Sequence, residues 1–391
     1  MATTGTRWLG GACLAWTWLA GCGPVPEAPA PPSASCTIAR ADAGGPFTSE
    51  VNDALDPLDV ARIRIREARH TSDPGFYTLA QQALDCALEA DPDREEARRW
   101  QGHVLLQFHR FADAEHQLRP LAEQTDHWRD WMLLSDARME QGDLEEASAL
   151  IDRALSQHPS LETYDRAAHV AWLQGHFEDA LALQEQAVSS GTATDPEPLA
   201  WSLVRLGELK ALQGHTPNEL GLALQLTPSY KPAHLSLGRW MLHNSSTMNA
   251  EKHLLQAGDT VAARRALREL DPAVDVASVG SQDARGYAIW VAPTKPDLAL
   301  RLLEGELAQR RDAATLMAWA WSLHHAGENG KTKALDALST GTIDPEVLWM
   351  GAVVLDDPSI ARRALDAAPG LLPSQADDVR SILSRHGSPA K

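Results

Sequence analysis

Basic residues are in short supply. Lys and Arg together number 35 against 53 Asp and Glu, a net charge of -18. A chain without a basic footprint has no means of displacing counterions from a phosphate backbone, so nucleic acid is not an expected partner. The acidic balance does not select a basic protein either, because it also keeps soluble surfaces dispersed. The apolar run Trp8 to Ala20 falls short of the roughly 20 residues that cross a bilayer. Catalytic signatures are missing too. There is no His-Glu-x-x-His pair, no glycine-rich phosphate loop and no Gly-x-Ser-x-Gly elbow. Fifteen histidines are present, yet His103, His109 and His116 do not fall on one helical face, and His324 and His325 point in different directions. The acid pairs Glu145-Glu146 and Asp356-Asp357 stand at helix starts, where they favour the macrodipole. No enzyme activity, metal, cofactor or small-molecule substrate is therefore expected. With 44% hydrophobic and 23% charged residues, the chain is neither disordered nor a polytopic membrane protein.

What is present begins at the N-terminus. Arg7 is the one charge before an apolar run that ends Leu19-Ala20-Gly21-Cys22. This resembles the lipobox of bacterial lipoproteins, in which small residues admit a peptidase and the following thiol takes the lipid. The resemblance implies a signal peptide over 1–21, lipidation at Cys22 and a protein exported to the cell envelope. Gly23 follows in place of the Asp that retains such proteins at the inner membrane of enteric bacteria. An outer-membrane position with periplasmic or surface exposure is therefore expected. Two or three acyl chains anchor stably where one does not. Residues 22–50 read as a tether: Pro24, Pro26, Pro29, Pro31 and Pro32 keep it extended, at about 3.1 Å per residue.

Cysteine is scarcer still, with four in the chain. Cys13 lies in the signal and Cys22 would be acylated, which leaves Cys36 and Cys86 as one disulfide or as two separate thiols. Closing a loop of about 50 residues would stabilise by roughly 4 kcal/mol in the chain-entropy view.

Residues 51–272 repeat. In the stretch from Trp128 to Pro159, Trp131, Leu134, Ser135 and Arg138 sit three and four apart on one helical face. Gly142-Asp143 breaks that helix, and Leu144, Ala147, Ile151 and Ala154 form a second stripe that stops at His158-Pro159. Six units share this register. They are marked by Ala80, Leu84 and Pro92; by Gly102, Leu105 and Phe111; by the Trp128 stretch; by Tyr164, Gly175 and Phe177; by Leu220, Ala223 and Pro228; and by Gly238, Ala250 and Leu254. After Gly258 the register fails. We expect one more helix capped by Asp259, an interruption over 273–296 with Gly280, Gly286, Pro293 and Pro296, and degenerate helical repeats with a solvated cap over 297–391.

This layout resembles the tetratricopeptide (TPR) repeat, whose period is about 34 residues. Within it, Ile65 to Asn244 is similar to a group of bacterial TPR proteins with no assigned activity. The resemblance implies an all-α solenoid of antiparallel helix pairs. It also implies that the first helices line a concave face at their second, fifth, ninth and twelfth positions. Those slots hold Arg99, His103, Met132, Asp136, Met139, Asp165, His169, Trp172, Trp201, Arg205 and Arg239. Trp, Arg and Met are common anchors for a peptide, although the two tryptophans would serve equally as core between units. Arg99, His103 and Met132 depart from the Lys and Asn of the two-carboxylate clamp, so a C-terminal carboxylate ligand is not implied. The expected function is a membrane-anchored scaffold that binds a protein or peptide in its concave groove. A structural spacer using its convex or end surfaces is the first alternative, and an enzyme of unrecognised type the second.

Overall fold

A computed structural model describes residues 45–51, 55–71, 73–194 and 196–387. The expected signal peptide, Cys22, Cys36 and most of the expected tether lie outside them. Among the described residues the secondary structure is entirely helical, and no helix is long and apolar enough to cross a membrane.

Six antiparallel pairs form a first stack. They are α1 (Pro57–Thr71) with α2 (Gly75–Ala90), α3 (Glu95–Gln107) with α4 (Phe111–Thr125), and α5 (Trp128–Glu140) with α6 (Leu144–Gln157). Then come α7 (Leu161–Leu173) with α8 (Phe177–Ser190), α9 (Pro196–Leu212) with α10 (Asn218–Leu226), and α11 (Lys231–His243) with α12 (Thr247–Gln256). Close packing within pairs comes from the small-against-large pattern. A Cβ at Gly102 would stand 2.5 Å from Leu118, and one at Gly238 would stand 2.7 Å from Leu254. From α3–α4 to α11–α12 the turn between paired helices is one device, a residue of positive φ at His109, Gly142, Gly175, Gly214 and Ser245. At Gly142, with φ +88, the amide donates to Met139 O at 3.0 Å and the Asp143 amide reaches back to Arg138 O at 3.0 Å. Asp143 then caps α6, its Oδ1 accepting from the Glu146 amide at 3.0 Å.

The thirteenth helix, α13 (Val261–Leu267), is capped by Thr260, whose hydroxyl accepts from the Ala263 amide at 3.1 Å. Asp259, the expected cap, instead pairs with Arg264. The expected interruption holds a 3₁₀ turn (Ala277–Gln282) and a full helix, α14 (Ala284–Val291). Gly286 does not break that helix. It sits in the first turn, where a Cβ would lie 2.4 Å from the capping carboxylate of Asp283.

A second stack follows. It comprises α14 with α15 (Pro296–Gln309), α16 (Ala313–His325) with α17 (Lys331–Leu338), α18 (Pro345–Leu355) with α19 (Pro358–Asp366), and α20 (Pro373–Arg385). The expected polar cap is amphipathic: α20 buries Ala376, Val379, Ile382 and Leu383. The loops between these pairs press against turns of the first stack. The Arg311 amide donates to Glu140 O at 2.9 Å, Arg239 Nη2 donates to Gly370 O at 2.8 Å, and Gly341 approaches Gly175 so closely that a Cβ there would lie 2.2 Å from its carbonyl oxygen. The chain thus covers part of its own first-helix face.

Arg310 is fully buried at this junction. It pairs with Glu306 at 2.8 Å, Glu140 at 3.8 Å and Asp312 at 3.9 Å. Burial pushes the Glu140 carboxyl up to about 7, against the pull of Arg310. A carboxyl whose folded value lies above its ordinary one contributes stability below that ordinary value and loses it as pH rises to about 7. Glu140→Gln keeps the shape of the protonated acid. We expect it to be near neutral at pH 4.5 and to stabilise by about 2–3 kcal/mol relative to wild type at pH 8. Urea unfolding at the two pH values checks this, and equal effects at both would refute it.

Candidate binding cleft

The first-helix face carries two separate cavities, and the eleven predicted residues divide between them and the core. Trp172, Trp201, Arg205 and Arg239 line a cavity of about 220 Å³ between the two stacks. Arg99, His103 and Met132 line a smaller one of about 60 Å³ near the N-terminal end. Asp136, Met139, Asp165 and His169 line neither.

The smaller cavity is built from charged groups already in use. Arg99 forms a two-pronged pair with Asp130, Nε to Oδ1 at 2.5 Å and Nη2 to Oδ2 at 2.8 Å, and Thr125 Oγ1 donates to the same carboxylate at 2.6 Å. Arg166 Nε donates to Asp136 at 2.9 Å. His103 packs edge-on to Trp100 with ring centres 5.7 Å apart, and its Nε2 is buried with no hydrogen-bond partner among the described residues. Burial, with the guanidiniums of Arg166, Arg69 and Arg129, pushes this imidazole down to about 3, so it is neutral.

The core members are held by hydrogen bonds and packing. Burial pushes Asp165 up to about 6 while its oxygens accept from Gln184 and Ser202. Burial, with Arg205 and Arg166, holds His169 well below its ordinary value. Met139 is 5% exposed. Cys86 is buried on α2 and disulfide-bonded, with its partner outside the described residues.

The larger cavity has an aromatic and aliphatic wall. Trp201 and Trp240 are half-buried on α9 and α11, Trp172 is buried on α7, and Met350 and Pro345 face them from α18. Charged groups cross the wall in pairs. Arg205 bonds Glu208, while Arg265 Nη2 meets Glu346 at 2.5 Å, with Gln375 on the same oxygen at 3.1 Å. Burial works to raise the Glu346 carboxyl, yet Arg265 and Arg239 hold it below its ordinary value. Burial lowers Arg205. Sequence reasoning missed every contribution from the second stack. Asp344-Pro345 looked like punctuation, but Asp344 caps α18 by accepting from the Val347 amide at 3.0 Å and so aims Glu346 inward. No cluster of three or more His, Cys, Asp or Glu that could hold a metal occurs among the described residues.

The fold is an all-α solenoid of tetratricopeptide-type helix pairs. No family model matches the chain. It is 27% identical over 323 residues to cellulose synthase operon protein C of Xanthomonas axonopodis pv. citri (strain 306), an alignment covering 79% of this chain and 21% of that protein. The chain therefore spans about a fifth of that relative's length. Among solved structures it is similar to a thermophilic TPR protein of Thermus thermophilus, with 22% identity, a TM-score of 0.38, and coverage of 44% of this chain and 90% of that one. It is also similar to human IFIT1, with 15% identity, a TM-score of 0.44, and coverage of 84% and 73%.

Proposed function

We propose that this chain is a lipid-anchored adaptor of the bacterial cell envelope that grips an extended segment of a protein partner in the cleft between its two stacks. One observation carries the reading: the first helices α7, α9 and α11 bring Trp172, Trp201 and Trp240 to a single cavity bordered by charged pairs. At about 220 Å³ it takes one large apolar side chain, and such a pocketed anchor supplies most of the energy at many interfaces. The lipobox at Cys22 supports the anchor and the compartment, where Cys36 and Cys86 would pair. The Xanthomonas relative is named for a cellulose synthase operon, so the products of such an operon are the first partners to seek.

A second reading, a spacer that docks by its outer surface, is favoured by Met248 and Leu255 on α12, which are 81% and 63% exposed. One experiment separates the two. A photo-cross-linking residue is placed at Leu235, on the cavity wall, or at Met248, in cells fed a palmitate analogue and expressing wild type or Cys22→Ala. The adaptor reading expects label only with Cys22 present, and a reproducible envelope protein captured from Leu235 and lost in Trp201→Ala. Capture from Met248 alone would replace it with the spacer. Label persisting in Cys22→Ala would remove the anchor.

A further inference from the structure

The smaller cavity of the first-helix face is walled by four successive first helices, α1, α3, α5 and α7. In a chain of net charge -18, this wall sets four arginines against one carboxylate. Three of the four are engaged in hydrogen bonds. Arg69 donates to Glu197 at 2.9 Å, Arg99 holds Asp130, and Arg166 holds Asp136. Arg129 differs from them. Its ion-pair partner among the described residues is Glu162 at 3.9 Å, too far for a hydrogen bond. Its guanidinium lies over the rings of Trp128 at 4.8 Å and Trp100 at 5.9 Å.

Two more groups on this wall have no partner among the described residues. Trp100 Nε1 and His103 Nε2 are both buried without a hydrogen bond. Buried polar atoms in folded proteins are almost always bonded, so two orphans on one cavity call for an acceptor. An indole and a guanidinium can only donate, and a neutral imidazole donates from whichever nitrogen holds its proton. Water is a poor match, because each molecule brings two hydrogens and Glu162 is the one carboxylate on the wall. An anion accepts from all three groups and brings none.

Size and polarity narrow the class of anion. The cavity of about 60 Å³ equals the liquid volume of about two water molecules. A tetrahedral oxyanion needs donors on every side, and Ile65, Met132 and Leu133 on this wall supply none. A large, weakly hydrated monatomic ion tolerates such apolar neighbours. Glu162 is no obstacle, since its side chain is 37% exposed and can turn to solvent. We propose that this cavity binds a chloride ion, held by Trp100, His103 and Arg129. The ion would join units contributed by α1, α3, α5 and α7, so stability should rise with chloride by mass action.

The test begins with full-length protein dialysed into sodium gluconate. Wild type, Trp100→Phe and Arg129→Gln are titrated with sodium chloride at constant ionic strength, and thermal unfolding is followed. Trp100→Phe keeps an aromatic ring and removes the donor, while Arg129→Gln removes the charge. Ions that act on the whole surface shift all three proteins alike and drop out of the comparison. We expect the wild-type melting temperature to climb with the logarithm of chloride concentration. In each variant the onset should move to at least about tenfold higher chloride, equivalent to roughly 1.4 kcal/mol. Crystals grown in sodium bromide should show an anomalous peak beside Trp100 and His103. A peak without the chloride-dependent gain would mean binding at crystal concentration only, and would overturn the proposal. Equal chloride responses in the three proteins, or no bromide at the site, would do the same.

Discussion

Gly175→Ala is expected to part the two stacks at their middle contact. The position carries two demands at once. Its φ is +80, which costs an alanine about 1–2 kcal/mol, and the new Cβ would lie 2.2 Å from Gly341 O. That neighbour is backbone, fixed in turn because a Cβ at Gly341 would stand 2.7 Å from Gln174 O. The clash therefore has to be relieved by moving the loop ahead of α18, at a further cost of about 1–3 kcal/mol. Gly327→Ala is the control, because its φ is +78 and nothing lies within 4 Å of its added Cβ. Calorimetry should show Gly175→Ala losing clearly more stability than Gly327→Ala. Amide exchange should rise at the Gly341 turn and in α18 ahead of α16. Equal losses in the two variants would mean that the inter-stack contact contributes nothing.

Gly142 and Gly175 show what could be read from the sequence and what could not. Gly142 and Gly175 were legible as turns because their neighbours set the helical period on either side. Their second role was not legible, because Arg311 and Gly341 come from pairs that have lost the 34-residue register. Once the register failed, Gly280 and Gly286 looked like a break, although Asp283 turns the second of them into the start of α14. The eleven residues expected on the groove lie on the first helices α3, α5, α7, α9 and α11. Which of its residues stay open to a ligand depends on partners one repeat away and on the returning second stack, and periodicity carries no information about that stack.

Arg99 makes this concrete. As a groove residue it would lower ligand affinity when removed and leave stability alone, but the structure predicts the reverse. Its guanidinium is 10% exposed and Asp130 is fully buried, and the two join α3 to α5 across the boundary between units. Asp130→Ala strands a buried cation, which costs about 3–5 kcal/mol. Arg99→Met strands a carboxylate that keeps only Thr125 Oγ1 among its observed side-chain donors, and should cost nearly as much. The double variant Arg99→Met, Asp130→Ala removes both charges, so its loss should be smaller than the sum of the two by about 2 kcal/mol or more. Urea unfolding of the four proteins closes the cycle. Additive losses would release Arg99 from its structural role and return it to the groove, whereas strong coupling leaves the larger cavity, bordered by the half-buried Trp201, Arg205, Arg239 and Trp240, as the part of this face to test for a partner.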